Sequence, residues 1–170
     1  MVKYNNKNIT LRALEPSDID FLFDIENDIS LWKYSNRSTP YSKHLLLDYI
    51  KNSSKDIFES RQIKFAISDS KNTPLGFIDL YDFEPMHRRA AIGLVVDYSN
   101  RSLGIGSMSL DLIELYAKNQ LFLNQLYANI ASENKHSIKL FKKHKFIQTG
   151  KKTQWNFYDG NYHDEYIFQK

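Results

Sequence analysis

The chain contains no cysteine, which excludes a disulfide framework, a thiolate metal site and any covalent mechanism through sulfur. Long apolar runs are missing as well. Uninterrupted stretches extend only a few residues, far short of the roughly 18 that span a bilayer, and the opening Met-Val-Lys-Tyr-Asn-Asn-Lys leads into no apolar signal segment. Neither sign of charge dominates: 23 Lys+Arg against 20 Asp+Glu give a formal net charge of +3, too mild to point to nucleic acid. Although His87, His136, His144 and His163 are present, none pair at metal-ligand spacing, so no metal site is expected. Together these absences predict a cytoplasmic protein with no membrane and no nucleic-acid partner. Proline (4) and glycine (6) are sparse and fall at element boundaries, with no linker and no internal repeat, so the 170 residues read as a single domain over 1–170. Hydrophobic residues at 42% and aromatics at 14% supply the apolar surface for its core.

Periodicity then sets out the elements. Asn8 to Leu14 reads as a strand, and Pro16-Ser17 opens a helix in which Ile19, Leu22 and Phe23 recur at helical spacing to about Asp28. A second helix follows from Tyr41 to about Asn52. Gln62–Ser68, Leu75–Tyr81 and Arg89–Val96 are β-rich runs separated by turn-forming residues, as in an antiparallel meander. Ile105, Met108, Leu112 and Tyr116 mark a third helix, Gln125–Ile130 a strand, and Lys135–His144 a fourth helix. Phe146–Phe157 and Tyr162–Phe168 bracket Asp159-Gly160, a hairpin signal. This order predicts an α+β fold, with a mixed, mostly antiparallel sheet flanked by helices.

The most informative segment is Asp97 to Ser107, between an apolar strand and the third helix. Gly104 and Gly106 allow backbone amides to approach a ligand closely, and the helix N-terminus adds partial positive charge, which together suit an anion. A plain strand-to-helix turn would need the same glycines. Gly-Lys-Ser/Thr is absent, and Ser109 stands where a dinucleotide fingerprint has its last glycine, so neither common nucleotide loop applies.

Arg101-x-x-Gly104-x-Gly106 resembles the loop of the GNAT superfamily of acyl-CoA-dependent N-acetyltransferases. Ile9 to Leu14 with Asp18 resembles that family's opening strand and helix. Ile92-Gly93-Leu94-Val95-Val96 resembles its fourth strand, and Asn134 to Phe146 its second CoA-binding motif. Within the superfamily, the opening helix, the segment 35–42 and the Asp159-Gly160 hairpin look closest to spermidine/spermine acetyltransferases and ribosomal-protein N-terminal acetyltransferases.

The resemblance implies the GNAT fold, acetyl-CoA as cosubstrate, and a cofactor site of Leu94, Val95, Val96, Arg101, Ser102, Leu103, Gly104, Ile105, Gly106, Ser107, Asn134, Ser137, Phe141 and Lys143. Backbone donors near Leu94 to Val96 would polarise the thioester carbonyl. Asn134 would cap its helix and also bond the pantetheine arm. Two positions depart from the pattern: Phe141 stands where many members have a tyrosine that protonates the leaving thiolate, and Lys145 stands at a usual glycine. Phenylalanine has no proton to give, which leaves ordered water or Ser137 as the acid.

Acetylation of an amine needs a neutral nitrogen, so a carboxylate in a cleft is sought as base. At about 100° per residue, Glu26 points with Ile19 and Leu22 toward the inner edge of the first helix, whereas Asp20, Asp24 and Asp28 form its wet face. Asp79 alternates with Phe77 and Tyr81 and so lies mid-strand on one sheet face. Many relatives carry Glu near position 91, where this chain has Ala91, so the burden falls on Asp79 or Glu26. Trp32 and Tyr34 suit an alkylammonium through cation–π contact, or serve as a packing plug. The candidate catalytic residues are thus Asp79, Glu26 and Ser137, and the candidate acceptor-binding residues Glu26, Trp32, Tyr34 and Asp79. The function expected is direct acetyl transfer from acetyl-CoA to a primary amine, a small polyamine such as spermidine first and a protein N-terminus second. A CoA-binding sensor with little catalysis is the reading that Phe141 favours, and a homo-oligomer is compatible with the resemblance.

Overall fold

Strand alternation decides which side chains face which layer. In the computed structural model, which describes residues 4–6, 9–35, 37–53 and 55–170, eight strands form one sheet in the order β1-β2-β3-β4-β5-β6-β8-β7. They are β1 (Tyr4–Asn6), β2 (Ile9–Ala13), β3 (Ile63–Ser68), β4 (Pro74–Glu84), β5 (Arg89–Val96), β6 (Gln125–Ala131), β7 (Ile147–Tyr158) and β8 (Asn161–Gln169). All neighbours are antiparallel except β5 and β6, joined by the crossover helix α5 (Ile105–Asn119) as a parallel pair requires. The remaining helices are α1 (Ile19–Glu26), α2 (Ile29–Trp32), α3 (Lys43–Asn52), α4 (Ile57–Ser60) and α6 (Lys135–Lys143). Among the described residues no helix is long and apolar enough to cross a membrane.

The two sheet faces bury separate cores. Ile78, Leu80 and Ile92 pack with Ile105, Leu110, Ile113 and Phe141, under α5 and α6. The alternate residues Ala66 and Phe77 pack with Leu22, Leu46 and Ile50, under α1 and α3. Asp79 shares the Phe77 face by strand parity, and its cross-strand partners Lys64 and Gly93 share it too. The α5 face is continuously apolar, whereas the α1/α3 face carries charge mid-sheet.

Several expectations shift at their ends for local reasons. The first helix stops at Glu26 rather than Asp28 because Asp28 is the N-cap of the short α2, its carboxylate accepting from the Ser30 amide at 2.9 Å. Asp28 is therefore a cap and not part of that helix's wet face, and Asp20 of the same stripe is tied to Lys43 at 2.6 Å. The second helix begins at Lys43 because Ser42 caps it. Asn8 and Asn36, assigned to a strand and to the helix connection, lie outside the described residues. Asp159 (φ 50°) and Gly160 (φ 74°) form the tip between β7 and β8, the paired positive φ values that a two-residue hairpin turn demands.

One buried ion pair joins β2 to the entry of α1. Arg12 donates from both terminal nitrogens to the two oxygens of Asp18, each at 2.7 Å, and the Glu15 amide adds a third donor at 2.9 Å. Burial alone would raise the Asp18 pKa, but these donors outweigh it and hold the carboxyl below its ordinary value. Stability from this group is therefore present above the ordinary carboxylate pKa and lost as pH falls through the lowered one. Asp18→Ala is expected to cost about 3–5 kcal/mol by stranding the buried guanidinium, read as a lower denaturation midpoint at neutral pH. The gap from wild type should narrow in acid, where the wild type loses the same interaction.

Candidate active site

Strands β5 and β6 pair only through Arg89↔Gln125, Ala90↔Leu126 and Ala91↔Tyr127. Beyond that point the two strands separate, so the β5 edge along Ile92–Val96 faces an opening in the sheet while its other edge stays paired to β4. Each sheet face presents different chemistry at this opening.

On the α5 face, the segment after β5 turns through Ser102 (φ 64°) and Gly104 (φ 82°) into α5. The first intrahelical bond runs from the Met108 amide to the Gly104 carbonyl, so the amides of Ile105, Gly106 and Ser107 are the helix's orphan donors. A Cβ at Gly104 would meet nothing within 4 Å, which means the turn is open above the backbone. At Gly106 a Cβ would come within 3.3 Å of Leu140 and 3.5 Å of Leu94; this glycine lets α5 sit close to α6 and β5. Lys143 donates to the Ser107 hydroxyl at 3.4 Å, bringing α6's basic end beside those amides. Open amides, a helix N-terminus and an adjacent ammonium fit a pyrophosphate.

Other expected cofactor residues are placed less simply. Arg101 turns back, its Nε donating to the Val96 carbonyl at 3.0 Å, so its side chain braces the end of β5. Leu103 is exposed. Asn134 caps α6, its Oδ1 accepting from the Ser137 amide at 3.1 Å, and only its amide nitrogen remains for a second role. Ser137 is half-buried in the first turn of α6, one turn before Phe141. Phe141 is buried and meets Phe146 edge-on, with centroids 4.9 Å apart. Lys145 adopts φ 66°, the left-handed conformation that accounts for a glycine at this position elsewhere in the resemblance.

The α1/α3 face carries a polar strip toward the opening. Asp79 lies across from Gly93, and a Cβ on Gly93 would fall 2.4 Å from the Asp79 Oδ1. Glycine is required there because the carboxylate rests on the β5 backbone, just past the last residue paired with β6. Lys64, opposite Asp79 on β3, donates to Glu26 Oε1 at 2.9 Å. Burial pushes the Asp79 carboxyl up, against the opposing pull of Lys64 and with Glu26 adding to the rise. Burial would also depress the Lys64 ammonium, but Asp79 and Glu26 outweigh it and hold its pKa above the ordinary lysine range. Tyr81, hydrogen-bonded to Asn129, is pushed up to about 12 by burial and by Asp79. On the far side of the opening, Lys152 donates to Asn129 at 3.3 Å and to the buried Glu165 at 2.8 Å.

Glu26 and Asp79 are thus brought together, but with Lys64 between them. Trp32 meets the backbone of Glu26 and not its carboxylate: its Nε1 donates to the Glu26 carbonyl at 3.0 Å, and Trp32 lines an open groove of about 620 Å³ with Trp155, Phe157 and Tyr158. Tyr34 is exposed, beside its neighbour Lys33. Sequence reasoning missed Lys64 and Asn129. Their signal was strand parity, since Lys64 alternates with Ala66, and a glycine inside an apolar strand, Gly93, marks close approach of another group. His144 was also missed as a site neighbour; it bonds the Ser107 hydroxyl at 2.7 Å through Nε2 and approaches Asp111 at 3.3 Å through Nδ1.

Residues 8–147 match the family model for the acetyltransferase (GNAT) domain. The chain belongs to the GNAT acetyltransferase family. As a member it is an acetyltransferase with acetyl-CoA as donor. It is 24% identical over 159 residues to spermidine N(1)-acetyltransferase of Vibrio cholerae, covering 94% of this chain and 90% of the relative. Its fold superposes on a crystal structure of spermidine N-acetyltransferase from Vibrio cholerae in complex with CoA and spermine, at TM-score 0.88 and 23% identity over 97% of this chain and 96% of that one. A dodecameric structure of the spermidine enzyme from the same organism matches at TM-score 0.81 and 24% identity, over 97% and 94% of the two chains.

Proposed function

We propose that this acetyltransferase acts on a small polyamine such as spermidine, with the cosubstrate's pyrophosphate on the amides at the start of α5 and the amine on the α1/α3 face. The observation that carries this reading is the opening between β5 and β6, with an anion cradle on one sheet face and the Asp79 carboxylate on the other. The relatives named for spermidine point to the same substrate class.

The arrangement accounts for each proton. The acceptor arrives as an ammonium, which has no lone pair, and Asp79 accepts the proton that must leave before attack. Its raised pKa makes it a stronger base than a solvated aspartate. The neutral nitrogen then adds to the thioester carbonyl carbon, its oxygen polarised by backbone donors on the unpaired β5 edge at Leu94 to Val96. The carbon–sulfur bond breaks, an amide forms, and the thiolate takes up a proton. Phe141 has none to give, so Ser137 on the first turn of α6, or water, supplies it. Homo-oligomerisation and a cytoplasmic setting belong to this proposal, the former by likeness to the dodecameric relative.

Phe141 also supports a second reading, a CoA-binding sensor with little turnover. A protein N-terminus is the alternative acceptor. Purified protein mixed with acetyl-CoA and spermidine, putrescine, butylamine or an N-terminal peptide separates them by the rate of thiol release. Release above buffer with the small amines and not with the peptide is expected. Peptide-selective release moves the protein to N-terminal acetylation, and tight CoA binding without release leaves the sensor.

A further inference from the structure

A buried histidine backs the anion cradle. His144, the C-cap of α6, lies against the first turns of α5 with its side chain only 8% exposed. Its Nε2 meets the Ser107 hydroxyl at 2.7 Å. Its Nδ1 faces two carboxylates of α5, Asp111 at 3.3 Å and Glu114 at 4.0 Å, and Lys170, which follows β8, pairs with the other oxygen of Glu114. Lys143, the neighbour of His144 on α6, donates to the same Ser107 hydroxyl at 3.4 Å. An ionised carboxylate only accepts, so Nδ1 carries a hydrogen toward Asp111 and the charge of the ring is decided at Nε2. In the neutral ring Nε2 accepts the one hydrogen that Ser107 has, and the hydroxyl offers an anion only lone pairs. In the imidazolium Nε2 donates to Ser107 instead. With Lys143 donating as well, both lone pairs are taken and the hydroxyl hydrogen is free to point outward, beside the orphan amides of Ile105 to Ser107.

We propose that His144 is a positioning residue for the cosubstrate: held by Asp111 and Glu114, its imidazolium form turns the Ser107 hydroxyl into a donor to the pyrophosphate. This rests on the placement of the pyrophosphate at the start of α5 and adds control of that site by a proton. His144 is buried, so its effect runs through the Ser107 oxygen, and the charge it adds acts in the same direction. The anion selects the donor form, so binding of the cosubstrate and protonation of the ring favour each other reciprocally. The sign follows from that linkage. Affinity is highest where the ring is charged and falls as pH rises through the range, roughly 5 to 8, in which an imidazole changes charge.

The test measures CoA binding by calorimetry from about pH 6 to 8 in wild type, His144→Gln, His144→Phe and Ser107→Ala. Proton uptake is read by repeating each titration in buffers of different ionisation heat. Wild type should bind most tightly at the acid end and take up protons as it binds. His144→Phe fills the space without a donor and should weaken binding there roughly 10- to 100-fold, the worth of a hydrogen bond to a charged group. His144→Gln offers an uncharged N–H to Ser107 and should lose the uptake that the imidazole contributes. The phosphate monoester of CoA titrates in the same window, and the difference between wild type and His144→Gln removes its contribution. Ser107→Ala leaves the buried ring in place, so it serves even if His144→Phe does not fold, and it should lose most of the uptake as well. A merely structural histidine would lower the denaturation midpoint and leave proton uptake unmoved. Equal pH profiles and equal uptake in wild type, His144→Gln and Ser107→Ala overturn the proposal. Gly104→Glu tells the two failures apart: loss of CoA binding in that variant alongside equal profiles removes only the role of His144, whereas CoA bound as tightly as in wild type removes the pyrophosphate from this turn and the proposal with it.

Discussion

Gly104→Glu is expected to abolish protection by acetyl-CoA against thermal unfolding. The wild type gains stability because the ligand binds only the native state, by about 2.7 kcal/mol at a hundredfold excess over Kd. At Gly104 the backbone has φ 82° and nothing lies within 4 Å of a Cβ, so the new side chain meets no packed neighbour. It projects into the space above the orphan amides of Ile105 to Ser107, where its carboxylate repels a pyrophosphate and competes for the same donors. The left-handed φ costs a non-glycine residue roughly 1–2 kcal/mol, and Gly104→Ala carries that strain without the charge. Weak loss of protection in Gly104→Ala against complete loss in Gly104→Glu is the expected pattern. A Gly104→Glu protein protected as well as wild type would remove the cofactor site from this turn.

The strands and the main helices were legible because their apolar residues repeat at clean periods. Phe77, Asp79 and Tyr81 alternate with Ile78 and Leu80, and the sheet does place them on opposite faces. Short elements were not legible. The helices at Ile29–Trp32 and Ile57–Ser60 are each a single turn held by an aspartate cap, Asp28 and Asp56, and a turn that brief has no periodicity to read. The start of α5 was foreseeable from Gly104 and Gly106, since both glycines answer a backbone need.

The acceptor side was half visible. Asp79 stood out as a charge inside an apolar strand, but its meaning depends on Lys64 and Glu26, which lie on different elements and meet only once the sheet and α1 are assembled. Glu26 was placed correctly at the inner edge of its helix by angle alone, yet its partner could not be read from that angle. The opening between β5 and β6 was equally hidden, because where parallel pairing ends depends on the course of both strands and not on the residues of either one.

Asp79→Asn is expected to lower kcat/KM for amines by about 10²- to 10⁴-fold, the span general-base catalysis contributes. The change is nearly isosteric, so the contact with Gly93 that fixes the side chain over the β5 edge is preserved. What disappears is the proposed proton acceptor. In the wild type, kcat/KM should rise with pH as Asp79 deprotonates, and that limb should sit above the ordinary aspartate range because burial raises its pKa. In Asp79→Asn the limb should vanish, leaving a rate that follows the fraction of free amine in solution, about tenfold per pH unit below the amine's pKa. The loss should shrink as pH approaches that value, since hydroxide and water then deliver the neutral amine without help. A uniform loss at every pH with the limb unmoved would make Asp79 a binding carboxylate and shift the base to Glu26, whose Gln variant should then carry the pH effect despite its bond to Lys64.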